Sequence, residues 1–149
     1  MASRGNGANG RDVSAPSALE GRLPDHGTLG RRRLKTLAKI LEERGHVYVT
    51  NQGYVQIHVY SRDVMLVDRL SRWLGTVDVW EGGTHDWSWA RQAEFREYLP
   101  QVIEMVSDRV LKELYQAVLE WATAQGAEKK VRLHALKLLL RRQRPPTPS

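Results

Sequence analysis

One glycine separates two periodicities that cannot belong to the same element. Leu34, Leu37, Ala38 and Leu41 recur at the i, i+3, i+4, i+7 spacing of a single apolar helix stripe. Gly45 then predicts the end of that helix, as a glycine at a C-cap does. Behind it Val47 and Val49, then Val55, Ile57 and Val59, alternate with polar residues, the period of strands with one buried face. Asn51-Gln52-Gly53 predicts a three-residue hairpin loop with Gly53 in the left-handed position. Pairing Thr50 with Tyr54 sets Val49 opposite Val55 and Val47 opposite Ile57, a register that gathers the apolar side chains on one face.

The same logic continues downstream. "SRDVMLVDRLSRWLG" predicts a helix capped by Ser61 and stopped by Gly75. "TVDVWEGGTHDWSWA" predicts a second hairpin in which Val77 and Val79 match Trp87 and Trp89. "EFREYLPQVIEM" is helical, with Pro100 suited to a helix start. Ser107 then caps a helix whose stripe is Val110, Leu111, Leu114, Val118 and Trp121. A last basic helix covers roughly 128–142. The order predicts an α+β domain with one four-stranded antiparallel sheet.

The two ends read differently from the middle. Residues 1–28 are rich in Gly, Ser, Pro and Asn without periodicity and predict a disordered arm; 144–149, "RPPTPS", predict a Pro-rich tail. Between them the reading is a domain over 29–126 and a basic amphipathic helix over 127–143. The net charge of +6 is unevenly spread. Residues 1–35 hold seven Lys/Arg against three Asp/Glu, and 126–149 hold seven against one, whereas 36–125 hold nine against thirteen. The basic character therefore sits in the ends, and the middle is mildly acidic, the reverse of a core that binds phosphates strongly. The absence of cysteine excludes disulfides and thiolate metal sites. With no signal-peptide pattern and no apolar run long enough to span a bilayer, the expectation is an intracellular protein, cytoplasmic or nucleoid-associated, with no membrane partner.

"LAKILEERG", residues 37–45, followed by His46, resembles the LAGLIDADG motif of the homing endonucleases and its first strand residue. "GYVQIHVYSRDVMLVDRLSRWLG" resembles that family's second strand and following helix, and "DWSWARQAEFREYLPQVIEMVSDRVLKEL" its fourth strand and later helices. The resemblance covers about 34–122 and implies an αββαββα fold. It also implies that two motif helices pack at a two-fold axis, each delivering a carboxylate to a divalent metal, while the sheets form a saddle that reads duplex DNA.

Three departures bear on that chemistry. The family's metal-binding acid, directly before the glycine, is Arg44 here, a cation that cannot coordinate one. Glu42 and Glu43 precede it, but a helix turns about 100° per residue, so neither points where the replaced side chain would. The glycine that allows close helix approach is Lys39, and the small residue four positions on is Glu43. The surrounding face, Arg32, Lys35, Thr36, Lys39, Glu42 and Glu43, reads as solvated, and close packing there would bury its charges at a cost of several kcal/mol per unpaired ion. The expectation is a nucleic-acid-binding protein without nuclease activity, needing no cofactor, with duplex DNA as ligand. The alternatives are an active homodimeric Mg²⁺-dependent nuclease using Glu42 or Glu43, an intron-RNA splicing cofactor, or a protein-interaction domain.

Alternation places the candidate DNA contacts opposite the valines: His46, Tyr48, Thr50, Tyr54, Gln56, His58 and Tyr60, joined by Thr76, Asp78, Trp80, Asp86 and Ser88. Gln pairs with adenine, and Tyr and Thr reach phosphates or base edges. This face carries no Lys or Arg of its own, so Arg31, Arg32 and Arg33 are the candidate phosphate contacts. Lys35, Lys39, Glu42 and Glu43 form a candidate partner interface on the motif helix. His46 and His58 fall opposite each other, a pair lacking the third ligand that a metal site needs. The C-terminal helix can pack back on the domain, bind a partner helix, or lie on anionic lipid or DNA phosphates. Arg109 and Lys112 are candidates for the family's basic residue near the metal.

Overall fold

A computed structural model describes residues 29–143, so the expectations for 1–28 and 144–149 lie outside the described residues. The chain runs α1 (Arg31–Arg44), β1 (Gly45–Val49), β2 (Val55–Ser61), α2 (Val64–Trp73), β3 (Thr76–Val79), β4 (His85–Trp89), α3 (Gln92–Met105), α4 (Arg109–Thr123) and α5 (Gly126–Gln143). The strands form one antiparallel sheet in the order β1-β2-β4-β3. The architecture is α+β, as the periodicities require. No described helix is long and apolar enough to cross a membrane.

The first hairpin has the expected register, Val49 opposite Val55 and Val47 opposite Ile57. Thr50 N–H donates to the Tyr54 carbonyl, and Gly53 takes φ +87°. Val55, Ile57 and Val59 are fully buried under α1 and α2, together with Trp87 and Trp89 of the neighbouring β4. Those indoles also have polar partners. Trp87 Nε1–H donates to the Leu74 carbonyl at 2.8 Å, and Trp89 Nε1–H to Glu94 at 3.1 Å. Satisfying the N–H is what allows so large a side chain to be buried completely.

Several local expectations change. In the second hairpin Val77 does face Trp87, but Val79 pairs with His85 and is exposed, while Trp89 pairs with Ile57 across β2. Only Val77 of β3 reaches the core side, because β3 is an edge strand of four residues. Asp63, not Ser61, caps α2, accepting from the Met65 and Leu66 amides; Ser61 ends β2 and its Oγ accepts from Asp63 N–H. Asp108, not Ser107, caps α4. A carboxylate is the stronger acceptor for a helix N-terminus. Pro100 lies inside α3, which starts at Gln92: Phe95, Tyr98, Leu99 and Val102 are buried on both sides of it, and that packing carries the helix through the proline.

Behind α1 the helices stack in series, α3 on α1, α4 on α3 and α5 on α4. The C-terminal helix thus packs back on the domain, with Leu136 and Leu139 buried. Lys129 Nζ donates to the Trp121 and Ala124 carbonyls and sits 4.4 Å from the Trp121 ring centroid, closing the α4–α5 corner.

Candidate nucleic-acid interface

The polar face of the sheet is assembled by pairing across all four strands. His46, His58, Ser88 and Thr76 form one row, Tyr60, Asp86 and Asp78 a second, and Tyr48 with Gln56 a third. Tyr48, Tyr54 and Trp80 project from this face with half or more of their surface exposed. Trp80 is held at the mouth of the second hairpin, where its N–H donates to the Thr84 carbonyl and its carbonyl accepts from Gly83 N–H. Gly82 and Gly83 both take positive φ, so this turn requires two glycines.

At the centre lies His58, only 8% exposed. Its Nδ1 is 2.7 Å from Asp86 Oδ1 and its Nε2 is 2.7 Å from Gln56 Oε1. The Tyr60 ring stacks on it at 5.6 Å between centroids, Tyr48 meets it edge-on at 5.8 Å, and Trp80 leans on Tyr60 at 5.1 Å. The result is a continuous aromatic path from β1 across β2 to the tip beyond β3. Burial, then the charge on Asp86, raises the Tyr60 phenol above its ordinary pKa, so it stays a neutral donor. Thr50 is diverted from the face, since its Oγ1 accepts from Tyr54 N–H within the turn.

The C-terminal end of α1 is built for packing. The Tyr115 hydroxyl, buried and donating to the Leu41 carbonyl at 3.1 Å, closes on the α1–β1 junction. A Cβ on Gly45 would lie 2.5 Å from that oxygen, and Gly45 does not take positive φ. The glycine is therefore there for close approach, not as the left-handed cap that its position suggests. Glu42 turns towards α4: Oε2 accepts from Ser107 Oγ at 2.7 Å, Asp108 N–H at 2.8 Å and Ser107 N–H at 3.1 Å. The Ser107 hydroxyl, then the Asp108 amide, holds its carboxyl below the usual carboxylate range. Arg44 is exposed in the last turn, where a cation complements the helix dipole. Glu43 is exposed on the outer face. One carboxylate tied to three donors, one in solvent and an adjacent guanidinium do not fit a divalent cation. Both His58 nitrogens have partners, and among the described residues no three His, Asp or Glu side chains converge as a metal site.

The other candidate residues lie apart from this face. Arg31–Arg33 are exposed in the first turn of α1, one helix length, roughly 20 Å, from the α1–β1 junction. Lys35 and Lys39 flank an open depression of about 500 Å³, completed by Thr36, Glu42 and Met105. Lys112 Nζ donates to the Ile103 carbonyl at the end of α3, and Arg109 opens α4 in solvent.

No family model matches the sequence, and no curated protein matches it either. Solved structures do. The homing endonuclease I-CvuI, in complex with the I-CreI target, superposes with a TM-score of 0.57 at 12% identity, covering 75% of this chain and 80% of that one. The fold is that of the LAGLIDADG homing endonucleases. A second I-CvuI structure, on its own target with Ca, agrees at 0.57 and 11% identity over 73% and 82% of the two chains. I-SmaMI, a LAGLIDADG homing endonuclease bound to cleaved DNA, superposes at 0.54 with 15% identity, covering 78% of this chain but 44% of that one.

Within the LAGLIDADG fold, sequence reasoning found the members of the polar face but missed its centre. Pairing β4 beside β2 is what brings Asp86 onto His58. A signal was present: β2 and β4 carry the strands' heaviest apolar residues, which marks them as the inner pair. The role of Glu42 had no such signal, because its partners lie 65 and 66 positions away.

Proposed function

We propose that this chain is a nucleic-acid-binding protein built on the homing-endonuclease fold, with duplex DNA as its ligand and without nuclease chemistry of its own. The observation that supports it most is the polar sheet face, where Tyr48, Tyr54 and Trp80 stand exposed around an ordered His58–Asp86–Gln56 centre. On the fold of proteins solved on DNA, that face offers hydroxyl, amide and ring contacts to base edges and sugars. Phosphate neutralisation falls to the margins, where Arg44, Arg62 and Arg91 are exposed at strand ends. The loss of chemistry rests on Arg44 at the motif's acid position and on the engagement of Glu42 with α4.

The test is fluorescence anisotropy of the full chain on a labelled mixed-sequence duplex across a salt series, once in EDTA and once in Mg²⁺. The proposal expects equal affinity with and without the metal, a linear log–log salt slope, and an intact duplex. Tyr48→Ala combined with Gln56→Ala should weaken binding about tenfold or more. Unchanged affinity in that variant would remove the sheet face as the reader. Cleavage in Mg²⁺ that disappears in Glu43→Gln would restore the nuclease alternative.

A further inference from the structure

We infer that Gln56 is a specificity-determining residue whose outward-facing group is chosen by the proton on His58, so that the centre of the sheet face reads a keto base in one state and an amino base in the other. This rests on the reading of the face as a nucleic-acid contact and names the base chemistry it discriminates.

Asp86 fixes one of the two ring nitrogens. An ionised carboxylate only accepts hydrogen bonds, so Asp86 Oδ1, 2.7 Å from His58 Nδ1, requires a proton on Nδ1. That leaves one variable, the state of Nε2. With Nε2 protonated, the ring is an imidazolium and needs an acceptor, and Gln56 Oε1 stands 2.7 Å away as that acceptor. The amide NH₂ then faces outward and has no partner among the described residues. With Nε2 deprotonated, its lone pair would meet the Oε1 lone pairs. Turning the amide by half a revolution about Cγ–Cδ restores the bond as Nε2–H of Gln56 donating to Nε2 of His58, and carries the carbonyl oxygen outward. The proton leaves to solvent and no other partner changes. Because His58 is buried on the face, water does not substitute freely for the missing partner, which makes the two orientations exclusive.

The surroundings leave His58 as the controlling group. Among the described residues Asp86 is the only charged side chain bonded to it, and Asp78 opposes Asp86 from β3. From β2 the Tyr60 ring stacks on it, and from β1 come the Tyr48 ring edge and, as its register partner, a second imidazole, His46. Ser88 is the neutral partner on β4.

The consequence follows from major-groove chemistry. An outward NH₂ donates to O6 of guanine or O4 of thymine, and an outward carbonyl accepts from N6 of adenine or N4 of cytosine. One amide atom is turned in to His58, so Gln56 reads with a single group and the two classes separate cleanly. The acid state favours a keto base at the contacted position and the alkaline state an amino base.

The switch is measurable without any nucleic acid. In the ¹⁵N-labelled full chain, scanned from about pH 5 to about pH 9, a trans-hydrogen-bond N–N coupling between Gln56 Nε2 and His58 Nε2 should be present at the alkaline end and absent at the acid end. Asp86→Asn, which frees the ring to place its proton on either nitrogen, should uncouple the amide from pH. No coupling at the alkaline end, or one independent of pH, overturns the inference. Selection from a randomised duplex at the two ends of the range should then move one position from G/T to A/C by roughly tenfold, a shift absent in Gln56→Met. If the coupling switches and duplex binds with an unchanged preference, the specificity role of Gln56 is overturned. If the coupling switches and no duplex binds at any pH, the proposed function fails instead.

Discussion

Replacing Gly45 with alanine probes the joint between α1 and the sheet. An added Cβ would sit 2.5 Å from the Tyr115 hydroxyl, 2.7 Å from the Leu41 carbonyl oxygen and 3.1 Å from Leu41 Cα. Two of these atoms are helix backbone. The third belongs to a ring with no exposed surface, which has little room to withdraw. Overpacking of this kind costs about 1–3 kcal/mol. Displacing Tyr115 also weakens its bond to the Leu41 carbonyl, a further cost of about 1 kcal/mol. The expected loss is about 2–4 kcal/mol, a large share of the roughly 5–15 kcal/mol that holds a domain together. Tyr115→Phe alone removes the bond and should cost about 1 kcal/mol. In the double variant the hydroxyl is no longer there to collide, so the two losses should fall short of their sum by about 1 kcal/mol. Relief stays partial because the Leu41 carbonyl remains in the way. Urea unfolding followed by fluorescence of buried Trp87, Trp89 and Trp121 measures all four corners of the cycle. A Gly45→Ala chain as stable as its parent, or losses that simply add, would refute the close-approach reading of this glycine.

Three further outcomes are expected. Leu136→Ala, at a fully buried position of α5, should cost about 2–5 kcal/mol in thermal or urea unfolding; a loss below about 0.5 kcal/mol would show that α5 is not part of the core. Glu42 has a carboxyl held below its ordinary range, so its contribution is present above the unfolded-state value and is lost as pH falls through the folded one. Glu42→Gln should therefore flatten the acid limb of melting temperature against pH, and an unchanged limb would sink that account. Burial, then the charge on Glu42, pushes the Tyr115 phenol well above its ordinary value. Its contribution is full below the unfolded-state value and fades as pH climbs towards the folded one, so alkaline destabilisation should begin above about pH 10 and be reduced in Tyr115→Phe.

How far the sequence reaches depends on the range of the interaction concerned. The helix-to-hairpin switch at Gly45, the Val49–Val55 register and the two faces of the first hairpin follow from periods of 3.6 and 2.0, which act between near neighbours. The motif letters add the resemblance that the superposition on homing endonucleases matches at the level of fold. Local rules also produced the errors. Ser61 and Ser107 satisfy the cap pattern, but the first-turn amides are taken by Asp63 and Asp108, two and one positions on, while Ser61 Oγ accepts from the Asp63 amide and Ser107 Oγ donates to Glu42. Pro100 looks like a helix start until buried side chains on both sides hold the helix through it.

Identity and spacing of residues in the chain determined the elements and the faces of the strands. Only the tertiary structure decided that β4 lies beside β2, that Asp86 therefore meets His58, that Glu42 anchors α4, and that α5 folds back onto the domain. Each of those contacts joins residues far apart in the chain or depends on which apolar faces bury one another. A side chain's own neighbours dictate its periodicity, but its partners across the fold are chosen by the packing of the whole.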